Sequence, residues 1–166
     1  MSNKTIVIAA VVIILIAGAG YYAYTNYSSP SNAPAQEQSA ADVVQAQDVT
    51  VGTGAQAAPN SVVSVLYLGR LPDGTVFDSS EAHENEPLTF QLGTPGIIAG
   101  FQIGVNGMRE GGERIMAIPP AFGYGAEDVK DASGKVVIPA NSTLVFEVKL
   151  LKVAPAPAAD TTPSAQ

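Results

Sequence analysis

The sequence has no cysteine, no tryptophan and only one histidine among its 166 residues. Without cysteine, the chain can form neither a disulfide framework nor a thiolate metal site, and it has no thiol nucleophile. The single histidine, His83, excludes metal sites that need several imidazoles. Acidic residues are scattered and do not suggest a metal site of their own. We therefore expect no metal and no other cofactor.

Positive charge is also scarce. Eight Lys and Arg residues stand against fifteen acidic ones, the formal net charge is −7, and the basic residues never form a run. Binding to nucleic acid independently of sequence needs clustered Lys and Arg that neutralise phosphates. The composition therefore argues against a nucleic acid partner.

Motifs of bond-breaking catalysis are missing as well. The chain has no Gly-x-Ser-x-Gly elbow for a serine nucleophile and no Gly-x-x-x-x-Gly-Lys phosphate loop. His83 lies in the polar segment 81–86 and is interpreted as an exposed loop histidine. Neighbouring acids such as Glu127 and Asp128 are interpreted as solvated surface groups, although spacing alone leaves a glycosidase-like pair open.

One long apolar run is present, at residues 5–24, with seventeen apolar residues and no charge. A helix of this length spans roughly 30 Å, which matches the hydrocarbon core of a bilayer. Lys4 precedes the run and no basic residue follows before Arg70. The positive-inside tendency therefore predicts a transmembrane helix with residues 1–4 in the cytoplasm and the remainder outside it.

A cleaved signal peptide is the alternative for the same run. Ala17, Gly18 and Ala19 form a small-x-small cleavage site. Cleavage near Ala19 would leave a secreted or periplasmic protein. Both alternatives place the working part of the chain outside the cytoplasm.

Composition divides the rest of the chain into one domain and two polar flanks. Residues 25–45 are rich in Ser, Asn, Pro, Ala and Gln and are predicted to form a flexible linker. Residues 154–166 have the same character and are predicted to form a disordered tail. Residues 46–153 remain as one compact domain.

That domain is predicted to consist mainly of strands around one helix. The spacing of Ile97, Ile98, Phe101 and Val105 gives one apolar face of a short helix, which ends at Asn106. The result is an α+β architecture in which an antiparallel sheet wraps around the helix and leaves a pocket. The predicted strands are residues 61–69, 76–77, 88–92, 113–118 and 143–153.

Asp78 is the polar residue that stands out among these apolar strands. A carboxylate in such surroundings is costly unless it is hydrogen-bonded, and Tyr67 on the neighbouring strand could supply that bond. The residues alone also allow a simpler role, a polar turn residue that opens the pair Ser79 and Ser80.

The ordered motifs of the domain resemble those of the FKBP-type peptidyl-prolyl isomerases, over essentially all of residues 46–153. The resemblance implies a twisted antiparallel β-sheet around one short α-helix and peptidyl-prolyl cis-trans isomerase activity without a cofactor. The motifs that carry it are residues 65–69, 71–80, 87–93, 97–101, 107–113, 119–125 and 138–146.

By position, the resemblance also implies a pocket for proline-containing polypeptides. Phe101 stands where the family most often has tryptophan, and segment 81–86 offers only His83 as a basic partner for Asp78. The predicted catalytic residues are Tyr67, Phe77, Asp78, Tyr124 and Phe146. The predicted substrate-binding residues are Phe90, Ile97, Ile98, Phe101, Val137 and Ile138.

Prolyl isomerisation suits these residue types because it needs no acid, base or nucleophile. Rotation destroys amide resonance over a barrier of about 18–20 kcal/mol. An apolar, water-poor site favours the twisted amide, which has lost its charge separation, over the planar one. By resemblance, the Ile98 N–H and the Tyr124 hydroxyl would bind substrate carbonyls, and Asp78 would shape the polar end of the pocket.

Two functions remain open. The first is an extracytoplasmic prolyl isomerase that assists the folding of exported proteins, held at the membrane through residues 5–24. The second is a catalytically idle FKBP-like module that only binds peptides or scaffolds an assembly at the membrane. The presence together of Phe77, Asp78, Tyr124 and Phe146 favours the first, because a module that only binds need not keep all four.

Overall fold

The computed structural model describes residues 43–155. The predicted transmembrane or signal segment at residues 5–24, nearly all of the predicted linker and most of the predicted tail lie outside the described residues. Within residues 43–155, no helix has the length and apolar character needed to cross a membrane.

The described part of the chain has eight strands and one α-helix, joined by turns and two short 3-10 helices, Ser80–His83 and Pro120–Phe122. The helix, α1, is Ala99–Val105. The strands are β1 Gln45–Thr50, β2 Val62–Arg70, β3 Val76–Ser79, β4 Leu88–Gln91, β5 Glu113–Ile118, β6 Val129–Lys130, β7 Val136–Ile138 and β8 Leu144–Ala154.

The main sheet is antiparallel throughout, in the order β1-β5-β8-β2-β3, and β4 also pairs with β2. The first half of β2 pairs with β4, from Val62 to Val65, and its second half pairs with β3, from Leu68 to Arg70. Because β3 and β4 share one edge of β2, their side chains are brought to the same region. The predicted antiparallel sheet with one short helix is confirmed.

The sequence pattern of β8 explains its central position. Leu144, Phe146, Val148 and Leu150 are buried and alternate with residues of the opposite face, such as the exposed Lys149. A strand of this pattern packs one face on the core while β2 and β5 satisfy its backbone on either side. The predicted strand at 143–153 is therefore confirmed, with a shift of one residue at each end.

Helix α1 packs closely against β5 through two glycines on one face. A Cβ at Gly100 would collide with Ile118, and a Cβ at Gly104 would collide with Met116. Glycine lowers helix propensity, so tertiary packing rather than propensity holds this seven-residue helix. The helix begins at Ala99, and the predicted face is therefore corrected: Ile97 and Ile98 precede the helix.

Two elements were not predicted from the sequence. Strand β1 begins inside the predicted linker and pairs with β5, from Gln45 opposite Ala117. The hairpin of β6 and β7 lies in the segment between Tyr124 and the last strand. Both are short or exposed and carry no strong apolar alternation, so their backbone pairing leaves little trace in the sequence.

Candidate functional site

Five aromatic rings meet between the helix and the sheet. Phe101 of α1 lies 5.0 Å from Phe146 of β8 between ring centroids, at an interplanar angle of 77°. Phe146 also meets Phe77 of β3 edge to face, at 5.5 Å. Phe90 and Tyr67 lie 5.9 and 6.1 Å from Phe101. Such tilted and edge-to-face contacts are favourable for aromatic rings, so the cluster is well packed.

The cluster has a buried floor and a partly exposed wall. Phe101, Phe146 and Ile138 are almost fully buried, at 2%, 5% and 3% exposure. The half-buried residues that pack against the same core supply the wall. Tyr124 is exposed and lies near enough to Tyr67 to contribute to raising the pKa of that residue. The wall residues are Tyr67, Phe77, Phe90, Ile97, Ile98 and Val137. The floor therefore fixes the position of a wall whose rings remain open to a ligand.

Gly69 allows two of these rings to meet. A Cβ at this position would lie 2.7 Å from the Phe77 ring and 2.8 Å from the Phe146 ring. Any larger residue at position 69 would push the two rings apart. Gly69 is thus part of the site although it contributes no side chain, and no role for it was predicted from the sequence.

The polar end of the site is built around Asp78. Its Oδ2 accepts a hydrogen bond from the Tyr67 hydroxyl at 2.7 Å, and its Oδ1 accepts one from the Ser79 N–H at 2.9 Å. The predicted hydrogen bond between Tyr67 and Asp78 is therefore present. His83 Nε2 lies 2.9 Å from the same Oδ1. Three donors hold one carboxylate beside the aromatic wall.

Burial and the charge of Asp78 change the acidity of two tyrosines. Burial is the largest cause that raises the pKa of Tyr67, followed by its hydrogen bond to Asp78 and the charge of that carboxylate. The pKa of Tyr124 is also raised, first by burial and then by the charge of Asp78. Both hydroxyls therefore stay protonated at physiological pH and remain hydrogen-bond donors.

His83 lies in an exposed segment, as predicted, and it is also the basic side chain that contacts Asp78. The segment begins with the 3-10 helix Ser80–His83, and the Ser79 hydroxyl accepts from the Ala82 N–H at 3.2 Å to cap it. The His83 side chain is 62% exposed, as predicted, but it contacts Asp78. Asp78 and His83 are five positions apart, a spacing that no regular helix or strand pattern brings together. The geometry of their contact could therefore not be predicted from hydrophobic periodicity.

Gln102 ties the loop before α1 to the helix. Its Oε1 accepts from the Gly93 N–H at 2.7 Å, and its Nε2 donates to the carbonyls of Thr94 and Ile97, each at 2.9 Å. These bonds fix the segment that carries Ile97 and Ile98. The role of Gln102 was not predicted from the sequence, because a polar residue on a helix usually faces solvent.

The segment after Tyr124 is also fixed by an acidic residue. The Asp128 carboxylate accepts from the Ala140 N–H at 2.7 Å, and the Gly125 carbonyl accepts from the Asn141 N–H at 2.8 Å. Asp128 is exposed at the surface, as predicted, and its carboxylate also binds the backbone. These bonds tie the chain next to Tyr124 to the residues that follow Ile138.

A second depression, of about 530 Å³, includes Leu66, Leu68 and Val49 in its lining. Tyr67 is the one ring of the aromatic cluster in this lining, whereas the four phenylalanines and Asp78 do not contribute to it. Lys149 in this lining pairs with Glu113 at 3.0 Å, so these two charges already satisfy each other. Nothing in this depression resembles the combination of an aromatic wall and a held carboxylate described above.

Within residues 43–155, no group of three or more Asp, Glu or His side chains is placed to hold a metal ion. What the site offers is an apolar wall, two protonated hydroxyls and one carboxylate. This arrangement can bind a small apolar ring next to a carbonyl group, and it holds no nucleophile poised for attack.

Comparison with known proteins places this arrangement in context. Residues 54–151, more than half of the chain, match the family model described as FKBP-type peptidyl-prolyl cis-trans isomerase. The chain is 45% identical over 107 residues to the FK506-binding protein of Neisseria meningitidis serogroup A, covering 64% of this chain and 93% of that one. It is 41% identical over 110 residues to FK506-binding protein 4 of Aspergillus fumigatus, covering 66% of this chain.

The chain spans only 21% of the length of that Aspergillus relative. Among solved structures, AtFKBP13 is similar with a TM-score of 0.60 and 32% identity, over 67% of this chain and 93% of that one. FkpA from Escherichia coli is similar with a TM-score of 0.58 and 34% identity, over 85% of this chain and 60% of that one.

Proposed function

The chain belongs to the FKBP-type peptidyl-prolyl cis-trans isomerase family, and from this premise we propose that it catalyses the cis-trans isomerisation of Xaa-Pro bonds. The observation that carries the proposal is the aromatic wall beside a held carboxylate. Phe77, Phe90 and Tyr67 are half-buried over the floor of Phe101 and Phe146. A proline ring fits such a wall, and its peptide carbonyls reach the polar end.

The wall favours the transition state because the two forms of the amide differ in polarity. Resonance gives the planar amide a charge separation that rotation removes. A site that excludes water therefore stabilises the twisted amide relative to the planar one. Each 1.4 kcal/mol of this preference contributes about a tenfold rate increase.

Two donors are proposed to hold the substrate carbonyls. The Ile98 N–H makes no hydrogen bond within residues 43–155, because it lies just before α1, where helix N–H groups lack intrahelical acceptors. Tyr124 is 44% exposed, and its hydroxyl stays protonated because its pKa is raised. The Asp78 carboxylate then places its negative charge next to the carbonyl that Tyr124 binds.

Replacing Phe77 by alanine is expected to lower kcat/KM for an Xaa-Pro peptide about tenfold. The change removes a ring of the wall, and the burial of such a ring contributes about 1.5–3 kcal/mol. The assay follows cis-to-trans relaxation of the peptide with the full chain, beside the uncatalysed reaction. Val76→Ala is the control, since Val76 precedes Phe77 in β3 and is 54% exposed.

Circular dichroism at the assay temperature shows whether each variant is folded. Relaxation no faster than in buffer would overturn the proposed activity. Peptide binding without acceleration would identify the idle binding module instead. Equal activity of the wild type and the folded Phe77→Ala variant would show that the aromatic wall is not the site.

We further propose that residues 5–24 anchor the chain in a membrane, with the isomerase domain outside the cytoplasm and exported proteins as its substrates. The proposal is supported by the seventeen apolar residues of this run and by Lys4 before it. The alternative is cleavage near Ala19, which would release the domain.

Cell fractionation with intact-mass measurement is expected to find the whole chain in the membrane fraction. Ile14→Arg is the matched variant and should shift the chain out of the membrane, because a charge at the helix centre costs about 2.5–3.5 kcal/mol. A mature chain beginning at Gly20 would establish the cleaved signal. Full-length protein of the wild type in the cytosol would contradict both alternatives.

A further inference from the structure

Gln102 of α1 binds three backbone groups of the segment that precedes the helix. Its Oε1 accepts from the Gly93 N–H at 2.7 Å, and its Nε2 donates to the carbonyls of Thr94 and Ile97, each at 2.9 Å. These partners determine the orientation of the amide, because a backbone N–H only donates and a carbonyl only accepts. The two donated bonds require the NH2 group of an amide, which a carboxylate does not have.

The segment from Gly93 to Ile98 depends on such bonds because neither a helix nor a strand holds it. Gly93 and Gly96 have positive φ, at 94° and 108°, and glycine also populates other conformations readily. The Thr94 hydroxyl donates to the Gln91 carbonyl at 2.8 Å, which holds the beginning of the segment. Near Ile97, Gln102 supplies a tie that the local secondary structure does not.

The bond to the Ile97 carbonyl also orients the next N–H group. The Ile97 carbonyl and the Ile98 N–H belong to one peptide group, which is planar and trans. In such a group the C=O and N–H bonds point in opposite directions, so a carbonyl held toward Gln102 aims the N–H away from it. A hydrogen bond accepted by the carbonyl also polarises the peptide group, which strengthens its N–H as a donor.

Resting on the proposed isomerase function, we propose that Gln102 is a positioning residue, which orients the peptide group between Ile97 and Ile98 and so aims the Ile98 N–H at a substrate carbonyl. This N–H has no acceptor within residues 43–155, since it lies at the start of α1. Gln102 directly follows Phe101 of the buried floor. One turn of α1 therefore supplies both the floor and the tie that holds this donor.

The bound carbonyl is expected to be that of the proline itself. The polar end around Asp78 and Tyr124 receives the rotating amide, whereas the proline carbonyl lies beyond the ring and keeps its geometry while the preceding bond rotates. A hydrogen bond from the Ile98 N–H is therefore equally strong for the planar and the twisted substrate. Such uniform binding lowers KM and leaves kcat unchanged.

The experiment measures kcat and KM separately with the full chain, using an Xaa-Pro peptide in the relaxation assay. Gln102→Met keeps the length of the side chain and removes all three hydrogen bonds. It should raise KM about three- to tenfold and leave kcat within about twofold of the wild type. Gln102→Glu keeps the acceptor for the Gly93 N–H, but an ionised carboxylate cannot donate to the two carbonyls. It should raise KM at least as much as Gln102→Met does.

Gln56→Met is the matched control. Gln56 Nε2 donates to the Gly107 carbonyl at 3.1 Å, so the same change removes a backbone tie beyond the other end of α1. KM should remain that of the wild type. Partial unfolding would lower the apparent kcat and leave KM unchanged, because the remaining folded molecules bind the peptide normally. A rise in KM is therefore a result that a merely structural role of Gln102 does not give.

A modified peptide tests the route through the Ile98 N–H. In this peptide the proline carbonyl is reduced to a methylene group, so the expected acceptor is absent. The wild type and Gln102→Met should then have KM values within about twofold of each other. A rise in KM as large as that measured with the unmodified peptide would overturn the proposal, because Gln102 would act on binding by another route.

NMR of the backbone amides gives a readout that does not depend on catalysis. The unmodified peptide should shift the Ile98 amide signal of the wild type, and Gln102→Met should need about three- to tenfold more peptide for the same shift. An active wild type, with KM unchanged in both folded Gln102 variants, would overturn the role of Gln102. An inactive wild type that binds the peptide with this dependence on Gln102 would refute the isomerase function while supporting the positioning of the N–H.

Discussion

Replacing Phe101 by alanine is expected to lower the free energy of unfolding by about 3–5 kcal/mol, the range for truncation of a large aromatic residue in a core. The side chain is 2% exposed, and its ring contacts those of Phe146, Phe90 and Tyr67. Alanine would leave a cavity below the aromatic wall that the helix and the sheet cannot easily fill. Urea denaturation, followed by circular dichroism, measures the change.

The exposed face of the same helix provides the control. Ile103 is 51% exposed, and Ile103→Ala is expected to change the free energy of unfolding by no more than about 0.5 kcal/mol. The comparison separates packing from helix propensity, since both variants place alanine in α1. A loss below 1 kcal/mol for Phe101→Ala would show that the helix does not depend on the aromatic cluster.

The parts of the fold that were predicted carry a strong local pattern. The alternation of Leu144, Phe146, Val148 and Leu150 specifies a strand with one buried face, and the structure has it. Strand β1 lacks this signal because five of its six residues are exposed. It is held by backbone pairing at the sheet edge, and backbone hydrogen bonds do not require a particular sequence.

Some contacts of the site could be predicted from the sequence and others could not. The hydrogen bond between Tyr67 and Asp78 was expected because a carboxylate among apolar strands needs a partner. The contributions of Gly69 and Gly100 depend on what lies opposite them in space, the Phe77 ring and the Ile118 side chain. A glycine in a sequence indicates a turn as readily as a close approach, so only the tertiary structure distinguishes the two.

The geometry of the contact between His83 and Asp78 could not be predicted from the sequence either. Its approach to Asp78 needs a 3-10 helix followed by two left-handed residues, Glu84 and Asn85. Glutamate seldom adopts that conformation, so nothing in the sequence announces the turn. The contact arises because the buried Ser80 fixes the segment to β2.

Replacing Asp78 by leucine is expected to reduce kcat/KM by about tenfold to a hundredfold. The change keeps a similar shape but removes the acceptor of the Tyr67 hydroxyl, the Ser79 N–H and His83. The Tyr67 hydroxyl and the Ser79 N–H are part-buried, and leaving such a donor without a partner costs about 1–3 kcal/mol, whereas the exposed His83 can bind water instead. If that cost falls on the transition state, it corresponds to roughly ten- to hundredfold in rate. The measurement is the relaxation of an Xaa-Pro peptide, with thermal unfolding to confirm that the variant is folded.

Tyr67→Phe is the matched variant, because it removes one donor and leaves the carboxylate held by the other two. It should therefore lower kcat/KM less than Asp78→Leu does. In the double variant the hydroxyl and its acceptor are both absent, so the combined loss should be smaller than the product of the two separate losses. Strictly multiplicative losses would mean that Tyr67 and Asp78 act on the substrate independently. The 2.7 Å hydrogen bond between them would then have no part in shaping the polar end of the site.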